Sequence, residues 1–289
     1  MIYFLPIRRD QRVARDLGVR RERLRIPSRD PGRYIIADLY DANSSLSTPR
    51  PVLVNWHGSG FMFPMLGSDV LFCSRIARDT GALVLDADYR KAPEAPFPGP
   101  MNDAEDVLRW IASQSGRFDA KRVAVSGFSA GANLALVAAS ALRKTLADLV
   151  TMVAVTVLYP PVDFSIMPAA KTLPGVTPPP VFMVEVMYDA YAPGMAPYTD
   201  PCLSPALADP ADFPPNVAIL ACEADYLAPE DMALARKLED GRETVISRVL
   251  GGVDHGFDKG ARRGTADWER REEAYALISE MLKKAFAGF

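Results

Sequence analysis

Histidine is scarce in this chain: His57 and His255 are the only two in 289 residues. Cysteine is nearly as rare. Cys73, Cys202 and Cys222 lie far apart, with no CxxC pair and no neighbouring histidine. That spacing excludes a Cys/His metal site, a disulfide framework and a cysteine nucleophile. An odd, sparse set reads as free buried thiols in a reducing compartment, so a cytoplasmic location is expected. No metal and no cofactor is expected. No stretch approaches the roughly 18 apolar residues of a membrane span, and residues 1–6 are too short for a signal-peptide core. The net charge of −3 argues against the broad basic surface that nucleic acid requires. One local excess stands out. Between Arg8 and Arg25 there are eight arginines against Asp10, Asp16 and Glu22. It reads as a solvated helix and loop surface, with a docking surface for a partner as the alternative.

Hydrophobic residues make up 49% of the chain and charged residues 24%, enough apolar material for one large core spanning residues 1–289. Apolar runs alternate with helical patterns, the mark of a mostly parallel sheet flanked by helices. Strands are expected at 33–40, 51–56, 82–87, 122–126, 152–158, 217–222 and 244–250. Helices are expected at 68–79, with Ser68 as N-cap, and at 101–113, 132–142 and 268–286. Residues 160–215 break the rhythm and hold 14 of the 25 prolines. Proline fits neither a strand ladder nor a helix interior. This segment reads as a small cap inserted after a central strand, with one helix at 181–191. Residues 1–25 read as an N-terminal arm of the same cap.

Gly127-Phe128-Ser129-Ala130-Gly131 matches G-x-S-x-G between an expected strand and an almost wholly apolar helix. That context makes Ser129 a candidate nucleophile. The serine must sit on a sharp turn, and glycines two residues either side avoid collision with the flanking strand and helix. The helix N-terminus behind it favours developing negative charge.

A serine hydroxyl needs a general base within reach. Where this turn occurs, the chain order is serine, acid, histidine. His255, in the glycine-rich stretch after the last strand, satisfies that order. His57 precedes Ser129 and is assigned a structural role, its ring bonding the loop backbone. The acid should lie just past the penultimate strand, where Asp225 would fix the imidazole tautomer. Glu223 and Asp231 compete for that role, and Asp254 reads as a loop former. The glycine-rich loop His57-Gly58-Ser59-Gly60-Phe61 can aim N–H groups at the serine. Ser59, Gly60 and Ala130 are the expected oxyanion-hole donors.

Together these motifs resemble the hormone-sensitive-lipase-like branch of the α/β-hydrolase fold. Asp88-Tyr89-Arg90-Lys91-Ala92-Pro93-Glu94 with Phe97-Pro98 resembles its D-Y-R-x-A-P-E-x-x-F-P segment, Asp225-Tyr226-Leu227 its D-x-L, and His255-Gly256-Phe257 its H-G-F. The resemblance runs from about residue 30 to the C-terminus. It implies hydrolysis of carboxylic esters with short to medium acyl chains, through an acyl-enzyme, under a cap. Three positions depart from the pattern. Ser59 replaces a glycine of H-G-G-G and adds a side chain beside the hole. Phe128 stands where aspartate or glutamate is common, which should make the turn more apolar. The short N-terminal region should leave the cap reduced and the pocket more open.

The expected pocket lining is Phe61, Met62, Phe63, Phe128, Phe182, Met183, Met187, Tyr191 and Phe257, suited to a small-molecule ester or lactone with a bulky apolar part. The Val181 to Tyr191 residues read equally well as ordinary cap packing. Two other functions stay open at this level: acyl transfer or carbon–carbon bond chemistry at the same site, and a non-catalytic small-molecule receptor. The oligomeric state is also open, a homodimer included.

Overall fold

A computed structural model of the chain describes residues 4–43, 45, 47, 49–239 and 244–288. Among the described residues eight strands form one sheet: β1 (Arg20–Pro27), β2 (Tyr34–Asp41), β3 (Arg50–Trp56), β4 (Leu83–Ala87), β5 (Phe118–Phe128), β6 (Met152–Leu158), β7 (Asn216–Cys222) and β8 (Thr244–Leu250). Their spatial order is β1-β2-β4-β3-β5-β6-β7-β8. β1 and β2 run antiparallel to their neighbours, and the strands from β4 to β8 are mutually parallel. The helices are α1 (Phe4–Arg15), α2 (Val70–Thr80), α3 (Gly99–Ser113), α4 (Ala130–Ala139), α5 (Ala141–Thr145), α6 (Val181–Tyr191), α7 (Ala228–Leu238) and α8 (Ala266–Ala287). The buried side chains form two clusters, one on each face of the sheet. The three cysteines are free thiols. Among the described residues no helix is long and apolar enough to cross a membrane.

Two expectations change. The stretch read as an N-terminal arm supplies α1, which lies on α2, and the edge strand β1. None of its described residues lines the cleft at Ser129. In β1 Glu22, Leu24 and Ile26 lie on the more covered face of the sheet, while Arg21, Arg23 and Arg25 on the other stay exposed. Arg21 and Arg23 both bind Asp38 of β2, Arg23 at 2.8 Å. They hold its carboxyl below the usual range against the opposing effect of burial. A charged edge of this kind discourages pairing with another chain. Secondly, Ser68 does not cap α2. The N-cap position is Asp69, and the Ser68 hydroxyl donates to the Asp69 carboxylate at 3.0 Å.

All ten residues of α4 are buried. This helix lies against β3, β5 and β6. Its Asn133 Nδ2 donates to Pro161 O at 2.9 Å and Leu203 O at 3.0 Å. One buried amide thus ties both ends of the proline-rich segment to the helix behind the serine. The approach is closest at the glycines. A Cβ on Gly131 would stand 2.0 Å from Trp56 O, and one on Gly127 2.2 Å from Gly131 O. Neither neighbour is a side chain that can yield. Gly131→Ala is expected to cost about 3 kcal/mol or more in stability, read by urea denaturation followed by circular dichroism. A midpoint equal to the parent's would contradict this packing.

Candidate active site

Ser129 joins β5 to α4 with φ 50° and ψ −122°, a conformation that L side chains rarely adopt. Its N–H donates to Leu158 O at 3.1 Å, and its carbonyl accepts from Ala132 N and Asn133 N. The surrounding ladder therefore holds the strain. His255 follows β8 in a turn, and its side chain is 39% exposed. His255 Nε2 lies 2.8 Å from Ser129 Oγ, and Nδ1 lies 2.7 Å from Asp225 Oδ2. A carboxylate can only accept, so Nδ1 carries the proton, and the serine hydroxyl donates to Nε2. Asp225 is buried, and its other oxygen accepts from Leu227 N at 3.0 Å.

The rivals are placed elsewhere. His57 is buried, with Nδ1 3.0 Å from Gly58 O and Nε2 3.2 Å from Asp88. Glu223 accepts from Gly252 N at 2.7 Å and braces the turn ahead of His255.

A Cβ on Gly58 would touch Ser129 Cβ at 3.2 Å, which puts the glycine-rich loop beside Ser129. Gly60 has φ 54°, and a Cβ there would meet Met187 Cε at 2.5 Å. The N–H groups of Ser59, Gly60 and Ala130 donate to no acceptor among the described residues. Near a reacting carbonyl they are free to bind its oxygen. The Tyr89 hydroxyl donates to His57 O at 2.8 Å, so at 2.6 Å the Ser59 hydroxyl donates to Tyr89. The Ser59 side chain is thus spent on Tyr89, and Ser59 is absent from the cleft lining.

The cleft at Ser129 encloses about 550 Å³. It brings together Gly60, Phe61, Ala130, Met183 and Met187 with Ser129, Asp225 and His255. The rest of the expected lining is displaced. Phe128 is fully buried beneath the turn, edge-on to Phe72 at 5.0 Å. Tyr191 is buried behind Phe61, their rings stacked at 3.7 Å. Phe257 packs on Tyr159, and Met62 on the core. Phe63 and Phe182 point to solvent at 59% and 66% exposure.

Their places are taken by Pro161, Phe164, Val176, Pro178, Pro179, Val184 and Tyr188 of the proline-rich segment, and by Tyr226, Leu227 and Asp254. Tyr226 and Leu227 were signalled by their adjacency to Asp225. Phe164 and Tyr188 carried no signal that distinguishes lining from packing. Buried Lys171 pairs with Glu230 of α7 at 2.6 Å, below the Phe164 and Tyr188 rings. That ion pair clamps the segment to the body.

The family model for the alpha/beta hydrolase fold (Abhydrolase_3) matches residues 53–259. An ethyl acetate hydrolase of Pseudomonas putida is 31% identical over 235 residues, 80% of this chain and 72% of that one. The carboxylic ester hydrolase LipN of Mycobacterium tuberculosis is 32% identical over 218 residues, 72% of this chain and 57% of that one. Among solved structures, the esterase LipW from Mycobacterium marinum superposes with a TM-score of 0.81 at 26% identity, covering 99% of this chain and 89% of that one. EstE1, a thermostable carboxylesterase cloned from a metagenomic library, gives 0.78 at 27% identity, covering 95% and 96%.

Asp231, the remaining rival acid, is fully buried in α7, and neither carboxyl oxygen has a hydrogen-bond partner among the described residues. Burial first, then the charges of Glu230 and Asp225, push its carboxyl well above the ordinary range. The folded chain therefore favours the protonated form. Above the unfolded value, about 4, the unfolded chain ionises first, and folded stability falls as pH rises. Asp231→Asn removes that loss. Its melting temperature should match the parent's near pH 4 and exceed it at pH 8, by an amount equivalent to about 1–3 kcal/mol. Calorimetry across that range checks it, and a gap independent of pH would refute the assignment.

Proposed function

Because the chain belongs to the alpha/beta-hydrolase family, on its hormone-sensitive-lipase-like branch, we propose that it hydrolyses neutral carboxylic esters through an acyl-enzyme on Ser129. The relay of 2.8 Å and 2.7 Å from Ser129 through His255 to Asp225 carries this reading. His255 Nε2 takes the hydroxyl proton as Oγ attacks the ester carbonyl. Asp225 holds the tautomer and stabilises the imidazolium. The N–H groups of Gly60, Ala130 and Ser59 receive the oxyanion, each worth on the order of 3 kcal/mol. His255 returns its proton to the leaving alkoxide, which departs as alcohol and leaves the acyl group on Ser129. A water, deprotonated by His255, then attacks the acyl carbonyl. The acid is released, and the proton returns to Oγ. The exposure of His255 gives water a route to the acyl-enzyme, which favours hydrolysis over acyl transfer. Residues 160–215 act as the cap.

The cleft's chemistry supports a substrate class. Phe61, Phe164, Met183 and Met187 supply apolar surface, and among the described residues the only charged ones lining it are Asp225 and Asp254. With no cation there, a free carboxylate on the substrate is disfavoured. Esters with short to medium acyl chains fit a volume of about 550 Å³.

Two measurements test this. Ser129→Ala should lower turnover of p-nitrophenyl butyrate by about 10⁴-fold or more at unchanged melting temperature, and a fluorophosphonate should label the parent but not the variant. Turnover surviving in Ser129→Ala would end the proposal. Asp254→Asn should raise the ratio of kcat/KM for an anionic hemisuccinate ester to that for the neutral butyrate by about fivefold. An unchanged ratio would remove Asp254 from the selection.

A further inference from the structure

The turn that carries Ser129 rests on an ion cluster. Phe128 points away from the cleft, and the Lys259 ammonium stands 3.5 Å from the centre of its ring. The same ammonium lies 2.6 Å from Asp69 and 2.8 Å from Asp258, two fully covered carboxylates. Asp258 also accepts from the hydroxyls of Tyr159 at 2.5 Å and Tyr275 at 2.9 Å. Tyr159 has φ 42°, and its ring lies 4.6 Å from that of His255. The cluster therefore touches the reacting pair from two sides. One path runs through Phe128, bonded directly to Ser129. The other runs through Asp258 and Tyr159 to the imidazole.

A buried ion cluster adds little stability over apolar side chains of equal volume. Its charge-assisted bonds are short and directional, so it fixes positions that apolar contact leaves loose. Both Ser129 and Tyr159 have positive φ, and such backbone persists only where its surroundings over-determine it. The face of an aromatic ring attracts a cation, so the ammonium holds the Phe128 ring in one place. Two carboxylates keep that ammonium charged; their pull outweighs burial and raises its pKa.

We propose that Lys259 is a positioning residue for the reaction. Clamped by Asp69 and Asp258, it pins the Phe128 ring under the serine turn and, through Asp258, seats Tyr159 against His255. This rests on the esterase reading above.

The test uses the full chain and the variants Phe128→Leu, Tyr159→Phe, Lys259→Met and the double variant Lys259→Met/Phe128→Leu. Steady-state hydrolysis of p-nitrophenyl butyrate and the fluorophosphonate labelling rate are measured well below the lowest melting temperature. Phe128→Leu and Tyr159→Phe leave the three charges in place. Each should lower kcat and labelling about tenfold, with KM within about twofold of the parent, because a small misplacement costs rate and not binding. The double variant should be no slower than Lys259→Met alone, since both changes cut one path. Phe128→Leu and Tyr159→Phe that fold and keep parental kcat and labelling would overturn the proposal, as would Lys259→Met and Phe128→Leu effects that multiply. If Lys259→Met does not fold, the first two variants decide alone. A parent without ester turnover would instead overturn the esterase reading itself.

Discussion

Three backbone segments meet at the end of β5 with no room for a side chain between them. Gly131 lies against Trp56 O at the end of β3, Gly127 against the carbonyl of Gly131, and Gly58 against Ser129 Cβ. Most of the site follows from that contact. Strand and helix cannot approach so closely unless the chain reverses sharply between them, and the reversal forces positive φ on Ser129. The same approach brings the loop after β3 alongside the serine. Gly60 and Ala130, from segments far apart in sequence, thereby come to line one cleft with Ser129. An apolar helix buried all round makes the reversal affordable: α4 has no solvent face to reorient, so the serine at its start stays fixed while the residues around it take up the strain.

Charge is distributed to match. The side chains that line the cleft are mostly apolar, with the relay, Asp254, Thr177 and the Tyr188 and Tyr226 hydroxyls as the polar groups, while the ion pairs lie behind them. Lys171 and Glu230 sit below the Phe164 and Tyr188 rings, and Lys259 with Asp69 and Asp258 below the serine turn. Asn55 extends this polar layer into the sheet. It donates to both Asp69 and Asp86 at 2.9 Å, and it accepts from Ser126 at 3.0 Å. Burial and the neighbouring Asp69 charge push the Asp86 carboxyl well above its ordinary range. Directional bonds are thus concentrated behind Ser129 and His255, and the surface of the cleft is mostly non-specific apolar area.

How far the sequence could be read depended on what competed for each role. Ser129, Asp225 and His255 were legible because glycines at 127 and 131 are demanding and histidine is rare. The position of each parallel strand was legible from a mainly apolar run, interrupted in β8 by Ser247 and Arg248. β1 was not, because its inward alternation rests on Leu24 and Ile26 alone among arginines that look like a solvated surface. The lining of the cleft was the least legible. Phe128, Tyr191 and Phe257 are core residues and Phe164 and Tyr188 line the cleft, yet all five are large aromatics. Nothing in a residue's type separates an aromatic that packs from one that lines. The difference lies in which way a turn points, and that is set by contacts from elsewhere in the fold.

Phe128 makes the same point for electrostatics. Taken with its neighbours in sequence, a phenylalanine before the nucleophile removes a carboxylate and should leave an apolar turn. In the folded chain its ring carries an ammonium on its face, with two carboxylates behind it. The charge beneath the turn is supplied by α2's N-cap and by the loop after His255, neither adjacent to Ser129 in sequence. An aromatic ring can stand between a serine and a buried cation because its quadrupole satisfies the cation without competing for the hydroxyl's proton. A carboxylate at position 128 would pair with Lys259 directly and place a third negative charge among Asp69 and Asp258. The phenyl ring and the lysine are therefore one arrangement: a carboxylate in place of the ring would crowd three negative charges around one ammonium, and loss of the lysine would leave Asp69 and Asp258 buried without their cation.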